Sequence, residues 1–242
     1  MQRKSSKESG GGAKPPLSYS SKHEGILVMI LITLSGGLQD AYTYLIRDHV
    51  FANAQTGNIV LLMVSLFDGN FQKAGSYLIP ILSFALGIAA AHTLSMKWKC
   101  RLLSWRQFII LLEFLLLIAV GFIPLSLSQY ANALVSFSCA MQVQSFRRFH
   151  GRAYASTMCI GNLRSGMESL SIYCNTKNKD AIVDALHYFG VILTFGIGAG
   201  IGGVLSSACG VQAIWASPLL LIIAFIVMKE TGNSAKHSQM AG

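Results

Sequence analysis

Two stretches of the chain, His49 to Leu66 (HVFANAQTGNIVLLMVSL) and Ala153 to Leu170 (AYASTMCIGNLRSGMESL), repeat one pattern at an offset of 104 residues. Gly57-Asn58 falls on Gly161-Asn162, Met63 on Met167, Ser65 on Ser169 and Leu66 on Leu170. Both copies therefore read Gly-Asn, four residues, Met, one residue, Ser-Leu. A duplicated chain has two versions of each element, and its fold is restricted to arrangements that pack one copy against the other.

The solvent of those copies follows from charge. Only 12% of the residues are charged, 52% are hydrophobic and the mean hydropathy is +0.51, whereas a soluble surface needs about a quarter charged residues overall. Runs such as Gly25 to Leu34, Tyr77 to Ala91, Phe108 to Leu125 and Val211 to Met228 approach the roughly 20 apolar residues that span a hydrocarbon core. The lipid bilayer is the first partner. The net charge of +9 is then a matter of loops facing the cytoplasm, and no nucleic acid is called for. Cys100, Cys139, Cys159, Cys174 and Cys209 are scattered, odd in number and mostly in or near apolar segments, which reads as small hydrophobes and not as a disulfide framework. Residues 1–22, rich in Ser, Gly, Lys and Pro, read as a disordered basic tail without the apolar core of a signal peptide.

Four elements occur twice. The first set is Gly25 to Ile46, Asn58 to Phe67, Tyr77 to Met96 and Gln107 to Leu127; the second is Tyr130 to Phe149, Asn162 to Cys174, Ala185 to Ala208 and Val211 to Met228. The second member of each set is short, and Asn58 to Phe67 amounts to about 15 Å of helix. Charge decides whether it crosses. With eight crossings the basic residues divide almost evenly between the two faces. With six, seventeen lie inside and only Arg47 and Lys73 outside, as the positive-inside rule requires. Three crossings per copy is an odd number, so the second copy inserts upside down. The sequence thus predicts an all-α integral membrane protein with six transmembrane helices plus two short re-entrant or interfacial helices, arranged as two inverted three-helix repeats. The expected units are a tail (1–22), repeat 1 (23–128), repeat 2 (129–230) and a tail (231–242), with both termini cytoplasmic in a multi-pass cell-membrane protein. Each short helix is expected to begin at its Gly-Asn pair after an extended polar approach, Ala52 to Thr56 in one copy and Ser156 to Ile160 in the other. Non-helical backbone at that depth survives only where protein buries it or water lines it.

The segments GGLQDAYTYL, HVFANAQTGNIVLL and CAMQVQSFRRFHGRAYASTMCIGNLRSG resemble the YoaK family of bacterial integral membrane proteins of unknown function. The resemblance covers roughly residues 24 to 230 and is most specific at ANAQTGN and TMCIGNLRSG; where the family pattern often has Thr before the second Gly-Asn, this chain has Ile160. It implies the membrane architecture and a bacterial inner-membrane location, and no activity.

Candidate site residues are the polar groups at depth. Asp40 sits in the later part of the first element, and an acid inside a spanning segment is costly enough to point to function; its match is Gln144. In that role it is a proton or cation-coupling site with Gln39, Gln142 and Gln144 as neutral neighbours, and the alternative is a hydrated acid near the outer interface. Asn53, Gln55 and Thr56, with Thr157 in the second copy, are suited to line a wet path. Asn58 and Asn162 either line it or serve as N-caps. Arg164 and Glu168 are four apart on one helical face and can pair; either that helix lies at the inner surface or Arg164 adds positive charge to the path of an anionic solute. Arg147, Arg148 and Arg152 are placed to anchor to lipid headgroups. Glu113 has no acidic counterpart, since Ser217 occupies the matching position. Gly198, Gly200 and Gly203 match GxGxxG formally, but without a preceding strand the glycines at four-residue spacing, Gly196 with Gly200 and Gly198 with Gly202, serve close helix packing. No metal spacing, nucleophile motif or phosphate loop is present, so no catalytic residue, metal or cofactor is expected and the chain is not read as an enzyme. The leading reading is a small-solute transporter or channel-like permease with a central site between the repeats. The alternative is a non-enzymatic membrane scaffold or regulatory component that binds a protein or lipid partner; a homo-oligomer is compatible with both.

Overall fold

The computed structural model describes the backbone of residues 19–100, 103–149, 152–153, 157 and 159–240. Among the described residues the chain is helical: α1 (Tyr19–Ile46), α2 (Gln55–Phe67), α3 (Phe71–Lys97), α4 (Trp105–Val120), α5 (Ser128–Ser145), α6 (Cys159–Thr176), α7 (Lys179–Cys209) and α8 (Ala216–Met240). Short 3-10 turns at Leu125–Leu127 and Gly210–Trp215 precede α5 and α8. Among the described residues three stretches are long and apolar enough to cross a membrane, Gly25–Ile46, Phe71–Lys97 and Lys179–Met228.

These helices follow the repeated apolar elements, with differences at the ends. Helices α1 and α8 run on into the two tails, so residues 19–22 and 231–240 are helical where a disordered or separate tail was expected; residues 1–18 lie outside the described part. Helix α2 starts at Gln55 and α6 at Cys159, so the Gly-Asn pairs sit inside the first turns and not before them. The element expected to run to Phe149 ends at Ser145, because Phe146 leaves helical backbone (φ −113°, ψ 41°) and Arg106 Nε donates to the Ser145 carbonyl at 3.0 Å. Beyond it, β1 (Arg148–Phe149) pairs antiparallel with β2 (Arg152–Ala153). The anchoring role of Arg148 and Arg152 concerns side chains outside the described part, as does the approach residue Ser156.

Packing crosses the halves of the chain. Helix α1 lies along α7 and α8, and α5 lies along α3 and α4. Helix α2 packs on α3, α6 packs on α7, and α4 meets α8. Each contact has a counterpart 104 residues on, so the halves interlock instead of forming separate globules. The closest crossing uses glycine: a Cβ at Gly198 would strike the Leu34 backbone, one at Gly202 the Leu38 backbone, and one at Gly37 the Phe195 carbonyl and Ala199 amide. Gly196 and Gly200 face open space, so only one of the two expected glycine pairs makes this contact. Such close backbone approach is how helices associate where lipid supplies no hydrophobic driving force.

The molecule is apolar outside and polar within. Leu78, Leu82 and Leu86 of α3, Leu193, Ile197 and Ile201 of α7, and Leu219, Ile223 and Ile226 of α8 are exposed, whereas Gln39, Asn58, Glu113, Asn132 and Gln142 are buried. Water would reverse this order; a bilayer permits it.

Gly198→Leu or Gly202→Leu is expected to cost about 1–3 kcal/mol by overpacking, whereas Gly196→Ala and Gly200→Ala should be near neutral. Thermal unfolding of the purified protein in detergent checks both, and equal loss at all four positions would contradict the assigned crossing.

Candidate functional site

Asp40 lies on α1 beside Gly36 and Gly37, the narrowest part of that helix. Its carboxyl is buried and faces the backbone amides of Ala52, Asn53 and Ala54, with the Asn53 N–H donating to Oδ1 at 2.7 Å. Asn53 in turn donates from Nδ2 to the Gly36 carbonyl at 3.3 Å. The segment ahead of α2, bent at Ala52 and Asn53 where an extended approach was expected, is thereby clamped to the middle of a helix. Its far end is fixed by Asn58, whose side chain accepts from the Phe51 N–H at 3.0 Å and donates to the Phe51 carbonyl at 2.7 Å and to Gln55 Oε1 at 2.9 Å. Gln55 Nε2 donates to the Ala52 carbonyl at 2.8 Å. Asn58 is therefore a brace for the loop rather than an N-cap; the N-cap position is Ala54, which has no side-chain cap. Thr56 is exposed and stands outside this cluster.

Thr157, the described residue of the second approach ahead of α6, reaches the same place. Thr157 is buried, and its Cγ2 would lie 2.6 Å from a Cβ built on Gly36, with Asn53 Nδ2 at 4.0 Å. Asn53 and Thr157 are 104 residues apart, so matched positions of the two approaches meet over one glycine. Glycine at this position leaves room for the Thr157 methyl, while Asn53 stands at ordinary contact distance. Asn162 is buried in α6, whereas Arg164 and Glu168 are exposed on it, away from Gly36.

A second polar cluster begins one residue earlier on α1. Gln39 Nε2 donates to Ser35 Oγ at 2.9 Å, to Glu113 Oε1 at 3.0 Å and to Ser217 Oγ at 3.0 Å. Gln142 Nε2 contacts Glu113 Oε1 at 3.1 Å and Oε2 at 3.0 Å. The Cys139 thiol donates to Gln39 Oε1 at 2.7 Å, and Ser35 and Ser217 share a further hydrogen bond. Four helices, α1, α4, α5 and α8, meet in this knot, and all six side chains are essentially inaccessible. Unsatisfied polar groups are expensive in a water-free interior, so each member requires the others. Gln144 is only half-buried and takes no part. Of the residues that sequence reasoning grouped around Asp40, Gln39 and Gln142 are brought together, around Glu113. Ser35, Cys139 and Ser217 were missed, and the available signal was that Ser35 with Cys139 and Glu113 with Ser217 are each 104 apart.

Arg47, read from sequence as an exposed loop cation, is fully buried. Its guanidinium donates to Tyr42 Oη at 2.9 Å, the Val120 carbonyl at 3.1 Å, the Ile123 carbonyl at 2.7 Å and the Pro124 carbonyl at 3.1 Å. Those carbonyls lie at and just beyond the C-terminus of α4, the negative end of its dipole. Asn132 of α5 donates to the Arg47 carbonyl at 2.8 Å, and Asp48 and His49 follow with left-handed backbone (φ 64° and 58°). Arg47 thus ties the start of the clamped loop to the α4–α5 connection. No disulfide joins the five cysteines, and no group of three His, Cys, Asp or Glu side chains that could hold a metal occurs among the described residues.

The model of a protein family described as "Protein of unknown function (DUF1275)" matches residues 28–227. A protein of Bacillus subtilis (strain 168) named "UPF0700 transmembrane protein YoaK" is 24% identical over 182 residues, covering 71% of this chain and 80% of that protein. No solved structure matches the chain.

Arg47→Ala is expected to destabilise the fold by about 2 kcal/mol, since it leaves the buried Val120 carbonyl and Tyr42 hydroxyl and the part-buried Ile123 and Pro124 carbonyls without a charged donor, and Arg47→Lys should recover only part of this because one ammonium cannot span them all. Thermal unfolding in detergent tests the order Arg, Lys, Ala; an Ala variant as stable as the parent would refute the role.

Proposed function

Since the chain belongs to the DUF1275 family of proteins of unknown function, and is a membrane protein by its outward apolar helices and its transmembrane relative, we propose that it is a small-solute permease. Its path passes between two inverted three-helix repeats, residues 23–128 and 129–230. In this reading α1, α3 and α4 cross in the first repeat and α5, α7 and α8 in the second, while α2 and α6 enter from opposite faces as half-helices. Helix α2, 13 residues long, amounts to about 20 Å, short of a hydrocarbon core of about 30 Å. The reciprocal packing of α1 on α7 and α8, and of α5 on α3 and α4, supports a two-fold relation between the copies. Both termini are then cytoplasmic, with the loop at Cys100 inside and the loop at Ser126 outside.

The observation that carries the reading is the meeting of Asn53 and Thr157 over Gly36, beside Asp40. Discontinuous helices that bring irregular backbone to the centre of a membrane protein form solute sites in many transporters. Here the carboxyl of Asp40 and the Asn53 side-chain amide supply hydrogen-bonding groups at that centre, beside the Thr157 methyl. Arg47 is committed to carbonyls elsewhere, so the interior polar clusters carry the acids Asp40 and Glu113 and no basic side chain. The lining therefore favours a neutral or cationic polar solute over an anion. Because these groups are buried, passage requires the loops to part from α1 toward one face at a time.

Two measurements test this reading. Proteoliposomes placed in iso-osmotic urea, glycine or choline should swell, with lactate as the anionic control; Asn53→Ala and Asp40→Asn should each slow swelling about tenfold, equivalent to about 1.4 kcal/mol. Swelling with none of the three probes, or rates indifferent to both substitutions, would refute the site. Membrane-impermeant thiol reagents should label Cys100 only from the cytoplasmic side and an introduced Ser126→Cys only from the outside; the reverse, or equal labelling, would undo the topology.

A further inference from the structure

The Glu113 knot is a different kind of place from the Asp40 clamp. Glu113 of α4 and Ser217 of α8 are matched positions, as are Ser35 of α1 and Cys139 of α5, and Ser217 is joined to Ser35 and to Gln39, the partner of Glu113. Matched positions of two copies come together only near the axis that relates them. One pair is serine and cysteine, the other glutamate and serine, so a single carboxyl stands on that axis. A group there is reached over equal protein depth from either face.

Its surroundings select what it can bind. The contacts to its oxygens come from amide N–H donors, with Oε1 accepting from Gln39 and Gln142 and Oε2 facing Gln142 alone. A metal cation needs several oxygen ligands converging on it, and these donors oppose that. A proton needs one lone pair, which Oε2 retains. The other titratable groups near it are the Cys139 thiol on α5 and Asp40, the neighbour of Gln39 on α1. Helix α8 presents Ser217, the 3-10 turn at Gly210–Trp215 carries no titratable side chain, and Lys73, His92 and Lys97 of α3 are exposed. A polar route leads away along α5: Ser136 and Asn132 lie one turn apart on the side of Cys139, both are buried, and Ser136 Oγ and Asn132 Oδ1 have no hydrogen-bond partner.

We propose that Glu113 is a proton-exchange site on the axis of the protein, taking a proton from water on one face onto Oε2 and returning it to water on the other. Uptake converts the carboxylate to a neutral acid and release restores it. Gln39, hydrogen-bonded to Glu113 and adjacent in sequence to Asp40, is the positioning residue that relays the change to the solute site. The exchange between faces rests on the inverted-repeat arrangement proposed above, and the relay rests on the permease reading as well.

Infrared difference spectra of the full protein in liposomes, recorded across a pH titration, test the exchange through the carbonyl stretch of a protonated carboxyl. The expected result is a band that disappears as pH rises, is absent in Glu113→Gln and persists in Asp40→Asn. A spectrum without a titrating carboxyl band, or one unchanged in Glu113→Gln, would overturn the proposal. If Glu113→Gln is not recovered folded, Glu113→Asp substitutes for it: its shorter arm loses the Gln39 or Gln142 contact and should shift the band, and an unshifted band overturns the assignment. For the relay, an inward proton gradient should accelerate swelling in one of the three probes several-fold in the parent and not in Glu113→Gln. Gradient-independent swelling with a normally titrating band would remove the relay while leaving both the permease and the proton site; a titrating band without any swelling would remove the permease reading alone.

Discussion

The carboxyl of Asp40 set against the amides of Ala52, Asn53 and Ala54 is the contact on which the rest of the centre depends. Backbone outside a helix lacks the helix's regular hydrogen bonds, and inside an apolar protein each unpaired amide is costly. One short side chain on α1 faces three such amides and accepts from that of Asn53 at 2.7 Å. The loop can then lie against α1 and carry Asn53 to Gly36, where Thr157 arrives from the other copy. Without that clamp α2 would have no fixed starting point, and the approach to it would seek water.

The two polar clusters divide the labour of the interior. The Asp40 cluster is built largely from backbone and holds a loop against α1. The Glu113 cluster is built from side chains of four helices and holds those helices in register, with amides serving as both donor and acceptor. Gln39 and Asp40 are adjacent residues on α1, so a shift of α1 is felt in both. Helix α1 is also the one that packs against α7 by backbone contact at Gly37, Gly198 and Gly202, which leaves it little freedom to move alone.

The helical elements were legible in the sequence because apolar runs separated by charged turns have one solution in lipid, and because the 104-residue offset gave each run a second witness. The family resemblance drawn from the same motifs agrees with the family match. The starts of α2 and α6 were not legible: the rule that Asn caps a helix placed them at Asn58 and Asn162, whereas Asn58 reaches back to Phe51 and leaves Ala54 as the cap. Charge counting treated Arg47 as a loop cation, since nothing in a linear reading says that three carbonyls beyond α4 converge on it. Glu113 looked isolated for the same reason, its partners being 74 and 29 residues away on other helices. Spacing reports on what lies along one helix; it is silent on what crosses between them.

The interlocking of the halves also governs how the chain is made. Helix α1 emerges first, yet its partners α7 and α8 begin at Lys179 and Ala216, so Gly37 waits for Phe195 across roughly 160 residues of unfinished protein. During that interval Asp40 can be satisfied by its own loop, but Gln39 and Ser35 lack Ser217. Synthesis therefore passes through a half-built state in which polar side chains face lipid or the insertion machinery. Contacts so distant in sequence form slowly and last, and truncation before α8 would leave a chain that inserts but cannot close.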